Sequence, residues 1–175
     1  MGVVSRASRL VLLTFLLIVG LGVCIVIRVR SGSELTRPAN VGVVMRIVDG
    51  DTIDVELAGR RERVRLVGID TPEKYVDDGP PECFGLEASA YTAELLPLGS
   101  EVRLTRDVVG RDDYGRLLAY VYRQPDDLFV NMAIVANGYA TPLTIRPNGF
   151  FADRFVEAAR VAERSDLGLW AVCGH

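Results

Sequence analysis

The stretch VGVVMRIVDGDTIDVELAGRRERVRLVGID, from Val41 to Asp70, decides the fold. Over Thr52 to Leu57 the apolar Ile53, Val55 and Leu57 alternate with polar residues, the period-two pattern of a strand with one buried face. Val41 to Val48 and Arg63 to Ile69 read as strands on either side. Asp49-Gly50 and Ala58-Gly59 supply the turn residues between them, because Asp and Gly tolerate the tight backbone a short connection needs. Three strands in such close succession form an antiparallel meander.

Outward from this meander, Glu73 to Cys83 (EKYVDDGPPEC) is charged and interrupted by Gly and Pro, so it reads as an exposed loop. Phe84 to Leu96 is helical in pattern, with Leu86, Ala90, Ala93 and Leu96 expected on one buried face and Pro97 closing it. Glu101 to Arg106 and Leu117 to Tyr122 are two further strands. Phe129 to Asn137, stopped by Gly138, and Phe151 to Arg164 are two further helices. Five short strands without a long parallel crossover predict a mainly β domain with α-helices, a five-stranded barrel of the OB type capped by helices.

The chain of 175 residues has room for one such domain and a tail. Its tail is apolar: Leu10 to Ile27 is an uncharged run flanked by Arg6 and Arg9 before and Arg28 and Arg30 after, close to the roughly 20 residues that cross a bilayer as a helix. A signal peptide has a shorter apolar core and a small-x-small cleavage site, so an uncleaved signal anchor is the favoured reading of residues 1–30 and a cleaved signal peptide the alternative. Residues 31–40 (SGSELTRPAN) read as a linker, and 41–175 as the folded domain. Arginines on both flanks leave the orientation undetermined by charge.

Beyond the tail the domain contains Cys83 and Cys173. An even pair in an exported domain suggests a disulfide that would pin the C-terminus to the barrel and place the domain outside the cytoplasm; two free thiols in a cytosolic domain are the alternative. Charge is also unevenly divided. Residues 1–30 hold four of the 20 basic residues and none of the 23 acidic ones, which leaves the domain about seven charges negative. That excludes a protein that coats nucleic acid through a generally basic surface, though not an enzyme with local positive charge.

Two carboxylate positions stand at strand ends, Asp51 in Asp49-Gly50-Asp51-Thr52 and Asp70 in Asp70-Thr71-Pro72-Glu73. Hard cations such as calcium take oxygen ligands of this type. Arg65 precedes Asp70 by five residues and Arg116 opens a strand; the planar guanidinium suits phosphate, to which it donates paired hydrogen bonds. The single histidine is the terminal His175, which leaves Ser-His and Cys-His mechanisms without their base. Asp-Gly is also an ordinary turn sequence, and arginines more often form surface ion pairs than sites.

Five ordered segments turn these fragments into a pattern: VDGDTIDV (Val48 to Val55), VRLVGIDTPE (Val64 to Glu73), FGLEASAY (Phe84 to Tyr91), RDDYGRLLAYVY (Arg111 to Tyr122) and VNMAIVANGYA (Val130 to Ala140). In order and spacing they resemble the staphylococcal nuclease (thermonuclease) family from about Val41 to Trp170. The resemblance implies an OB-fold hydrolase that cleaves DNA and RNA with calcium and little sequence preference. By position it implies Asp51, Asp70 and the Thr71 carbonyl as calcium ligands, Glu73 as the carboxylate acting on the attacking water, and Arg65 and Arg116 as the arginines on the scissile phosphate. Tyr114 is implied as a nucleotide contact.

The chain departs from the family before Arg146-Pro147-Asn148. Thr141-Pro142-Leu143-Thr144-Ile145 lacks the aromatics that flank the nucleotide in the family archetype, so weaker or differently placed substrate binding is expected. The expected partners are a nucleic-acid substrate and a membrane through the N-terminal segment, with no protein partner. The alternative is a binding module on the same fold, as in relatives that have lost the catalytic carboxylates or arginines; all six positions are intact here.

Overall fold

The computed structural model describes residues 37–76 and 79–173. The apolar run read as an anchor, the linker up to residue 36 and His175 lie outside the described residues; among those, no helix is long and apolar enough to cross a membrane.

The meander is present as β1 (Val41–Ile47), β2 (Thr52–Leu57) and β3 (Arg60–Leu66). Pairing of β2 with β3 runs from Thr52 opposite Arg65 to Leu57 opposite Arg60, so the Ala58-Gly59 turn sets the register. On β1 the register against β2 shifts between Val44 and Arg46, a bulge that bends the strand as a barrel wall requires. After β4 (Gly68–Asp70) and α1 (Gly85–Leu95) come β5 (Glu101–Thr105) and β6 (Leu117–Arg123). β1 bonds to β5 and β5 to β6, both antiparallel, and β6 then runs parallel to β3, with Val64 opposite Leu117. That pair closes a five-stranded barrel of the OB type. A parallel pair needs a long crossover, and the loop, α1 and β5 supply it.

Period-two alternation points Val44, Ile53, Val55, Val64, Leu66, Val102 and Val121 inward, all fully buried. Each contributes about 1.5–3 kcal/mol by the removal of its side chain from water. Tyr120, on the opposite face of β6, meets a second apolar layer. There Phe129, at the end of β7 (Leu128–Phe129), and Phe151 lie 6.0 and 4.8 Å from its ring, and Phe155 extends the layer from α3 (Ala152–Arg164). Its hydroxyl donates to Asp107 Oδ2 at 2.6 Å, and the Phe150 N–H donates to the same oxygen. Burial alone would push Asp107 up, but these bonds hold it below the usual carboxylate range. A folded-state value below the unfolded one contributes stability above the ordinary carboxyl pKa of about 4, lost as pH falls through the folded value. Thermal melts from pH 7 to 2 should therefore show an acid limb that Asp107→Asn flattens.

α2 (Val130–Ala136) is tied to the barrel by Asn131, which is fully buried. Its Oδ1 accepts from the Val121 N–H at 2.9 Å and its Nδ2 donates to the Val67 carbonyl at 2.9 Å. This one amide holds β6 and the β3–β4 junction to the helix. Asn131→Ala orphans a buried donor and a buried acceptor, at about 1–3 kcal/mol each, and should lower the urea midpoint accordingly.

Helix α1 buries a different face from the one expected. Leu86, Ala90 and Ala93 are exposed, whereas Gly85, Ala88, Ser89 and Thr92 are buried, with Leu96 just beyond the helix. The reason is proximity: Thr92 Oγ1 donates to the Gly50 carbonyl at 2.6 Å, and only small or hydroxylated side chains allow the helix that close. Hydrophobicity does not mark such a face.

Three short elements also escape the sequence pattern: β8 (Thr141–Leu143), which pairs with β4, β7 against β6, and α4 (Leu169–Val172). Cys83, before α1, and Cys173, after α4, form a disulfide with Cα atoms 5.9 Å apart.

Candidate active site

The mouth of the barrel is built from the β1–β2 turn, the end of β3 with β4, and the segment entering β6. Gly50 lies in the turn, where a Cβ would come within 2.8 Å of the Thr71 side chain. The Asp49-Gly50-Asp51 turn is thus pressed against the chain leaving β4, which a turn alone would not require. Contact between the two segments is made by Asp51: its Oδ2 accepts from the Thr71 N–H at 2.9 Å and its Oδ1 from Thr52 Oγ1 at 3.0 Å. Asp51 is buried, and burial pushes its carboxyl up to about 7 against the pull of Arg65.

Arg65 is anchored at one end and shared at the other. Nη1 donates to the Leu66 and Ile69 carbonyls at 2.9 and 2.8 Å. Nη2 lies 3.0 Å from Asp51 Oδ2 and 2.7 Å from Asp70 Oδ1, so a single cationic nitrogen touches both carboxylates. The two acids, 19 positions apart in sequence, therefore face one another, which the spacing left open.

Arg116 stands across a cleft of about 450 Å³ whose lining includes Arg65, Asp70, Glu73, Tyr114 and Arg116. Asp112 positions it, accepting from Nε at 2.7 Å through Oδ2 and from the Arg116 N–H at 2.8 Å through Oδ1. Asp112 is a site residue the sequence reading missed; its place four residues before Arg116, ahead of a Tyr-Gly turn, was the available signal. Tyr114 is 87% exposed with Arg116 5.4 Å from its ring centroid, a bare aromatic face beside the cleft. Leu143 and Ile145, from the segment without aromatics, also line the cleft.

Glu73 is held by its backbone, which donates to Glu82 Oε2 at 2.8 Å and accepts from the Glu82 N–H at 3.0 Å. Gly85, opening α1, abuts the Glu73 carbonyl so closely that a Cβ would collide with it. Burial, followed by Asp49, Glu82 and Asp70, raises the Glu73 carboxyl above its ordinary range, with Arg65 opposing. Glu82 lay outside the quoted motifs, and Gly85, though within FGLEASAY, was given no role there, since the effect of both is on where the Glu73 backbone sits.

Two arginines facing a group of acids across the mouth of an OB barrel define a class, the nucleases of this fold. The comparisons agree. The family model described as staphylococcal nuclease homologue matches residues 63–172. The thermonuclease of Staphylococcus intermedius is 37% identical over 128 residues, 73% of this chain and 74% of that protein, and the thermonuclease of Staphylococcus hyicus is 34% identical over the same shares. Endonuclease YncB of Bacillus subtilis (strain 168) is 34% identical over 132 residues, 74% of this chain and 61% of that protein. The chain belongs to the staphylococcal nuclease family, and is a hydrolase of the nuclease type.

Proposed function

We propose that the chain is a calcium-dependent nuclease that hydrolyses phosphodiester bonds of DNA and RNA with little sequence preference, outside the cytoplasm. The observation that carries this reading is the bridging of Asp51 and Asp70 by one guanidinium nitrogen of Arg65, with Arg116 across the cleft. Among the described residues, no three His, Cys, Asp or Glu side chains form a metal cluster. The donors Asp51, Asp70 and the Thr71 carbonyl are all hard oxygens, as calcium prefers, and calcium completes its shell with water and substrate. One cationic nitrogen of Arg65 meets both carboxylates, at 3.0 and 2.7 Å.

Calcium held there would supply positive charge to the phosphate as charge develops on it. Arg65, fixed through Nη1, keeps Nη2 at the mouth of the cleft, where it would donate to a phosphate oxygen. Arg116, held by Asp112, donates from the opposite side, so the two arginines stabilise the transition state in a preorganised site. Glu73, raised in pKa, accepts a proton from water and orients it for in-line attack.

The Cys83–Cys173 disulfide supports an oxidising compartment, and the Leu10–Ile27 run supports attachment to a membrane, or secretion after cleavage. The decisive experiment is digestion of denatured DNA and of RNA by the purified chain with millimolar calcium or a chelator. Cleavage is expected only with calcium, which should also raise Tm by binding the folded state. A higher Tm with no cleavage would instead mark a binding module.

A further inference from the structure

A second groove, of about 650 Å³, opens from the active-site cleft and shares Glu73, Tyr114 and Arg116 with it. It continues along the β2–β3 hairpin to Arg61 and Arg63. Positions 61, 63 and 65 alternate on β3, so their side chains leave the same face of the strand, about 6.7 Å apart. The innermost of the three is Arg65 of the active site. A row of arginines on one strand face therefore leads away from the point where the scissile phosphate would sit, with the Arg61 and Arg63 guanidiniums both drawn to Asp54.

Asp49 and Glu73 also line this groove, but the charges immediately around Asp54 do not balance. Asp54, opposite Arg63 in the β2–β3 register, has a side chain only 2% exposed. Its Oδ1 takes Arg63 Nε at 2.9 Å, its Oδ2 takes Arg61 Nη2 at 2.6 Å, and Arg46 Nε is 3.9 Å away. One carboxylate faces three guanidiniums, all of them about half exposed or more. Other arginines are matched one to one with acids, Arg111 to Glu62, Arg103 to Asp127 and Arg123 to Asp126, and only Glu157, with Arg160 and Arg164 at 3.8 and 3.5 Å, is also shared among the described residues. In a domain about seven charges negative, three arginines on the one carboxylate of Asp54 run against the net charge of the domain.

We propose that this groove is a subsite for the polynucleotide backbone, in which Arg61 and Arg63 take the two phosphates next to the scissile one and Tyr114 offers its ring to a base. Asp54 fixes the two arginines in place, so the row is formed before substrate arrives. The subsite rests on the nuclease reading and adds to it a preference for strands over short nucleotide esters. It also supplies binding that Leu143 and Ile145 cannot provide by stacking.

The test uses the full chain in mild detergent, with an eight-residue oligothymidylate and a nitrophenyl ester of thymidine phosphate as substrates. Arg61→Ala with Arg63→Ala should raise KM for the oligonucleotide about 10-fold or more and flatten its dependence on salt by about 1.4 in log–log slope, for two phosphates of a single strand. The ester should be cleaved with unchanged kcat/KM. Because the double variant strips a buried carboxylate of its partners and could unfold, Asp54→Asn is the second variant: it removes the neutralising charge and should lower the oligonucleotide KM while also lowering Tm. Equal losses on both substrates, or an unaltered oligonucleotide KM and salt slope in both variants, would overturn the subsite while leaving the nuclease intact. If the parent chain cleaves neither substrate, the nuclease reading falls. Binding of a fluorescent octamer in chelator then decides the subsite, which stands if the double variant binds less tightly and is overturned if affinity is unchanged.

Discussion

Arg65→Ala is expected to lower kcat on denatured DNA by about 10³- to 10⁵-fold, the scale on which arginines act in phosphoryl transfer. Removing it takes away the donor best placed to follow charge onto the phosphate. It also leaves Asp51 and Asp70 facing each other with no cation between them. Asp51 is already driven up to about 7 by burial despite Arg65, so its ionised form would be costlier still, and Tm should fall in chelator. Calcium should restore most of that Tm and none of the turnover. This separates a transition-state role from a structural one: a residue needed only for folding would recover both. Arg116→Ala serves as the companion, because Asp112 also accepts the Tyr114 and Arg116 backbone N–H groups and keeps that turn in place. Its kcat should fall about 10²- to 10³-fold with Tm little changed.

The second large effect is on stability. Replacing Cys83 and Cys173 by serine, or reducing the bond, opens a loop whose ends are separated by 90 positions. Chain-entropy reasoning places the loss at about 4.6 kcal/mol, a large part of the roughly 5–15 kcal/mol that keeps an ordinary domain folded. The bond joins the segment after Glu82 to the end of α4, and Glu82 holds the Glu73 backbone. Reduction should therefore lower activity at temperatures well below the global melt, with Glu73 the first site group released. Urea melts with and without reductant, beside activity across the same range, measure both. Coincident loss of structure and activity would mean that the bond supports the domain as a whole and has no special hold on the Glu73 loop.

The barrel was legible because its information is local. Alternation over Ile53, Val55 and Leu57 and turns at Asp49-Gly50 and Ala58-Gly59 require only neighbouring residues, and the structure keeps the strand and both turns, although Thr52 and Asp54 on its other face are buried too. Asp51, Asp70, Glu73, Arg65 and Arg116 were likewise singled out from strand ends and motif order. Their convergence was not legible: it depends on the β3–β6 pair that closes the barrel and on Gly50 pressing against Thr71, contacts between segments 20 or more positions apart. The face of α1 was misread for the same reason, because Thr92 is buried by a hydrogen bond to Gly50 that no periodicity records. Asp112, Glu82 and the Arg61–Asp54–Arg63 cluster act through partners across a turn or a strand pair, and become visible only when the register is known. By itself, then, the sequence determined the strands, the helices and the chemical types assembled at the barrel mouth, since hydrophobic period and turn chemistry act within a few residues. The tertiary structure alone decided which charges meet and which helix face is buried, since those depend on distances set by barrel closure.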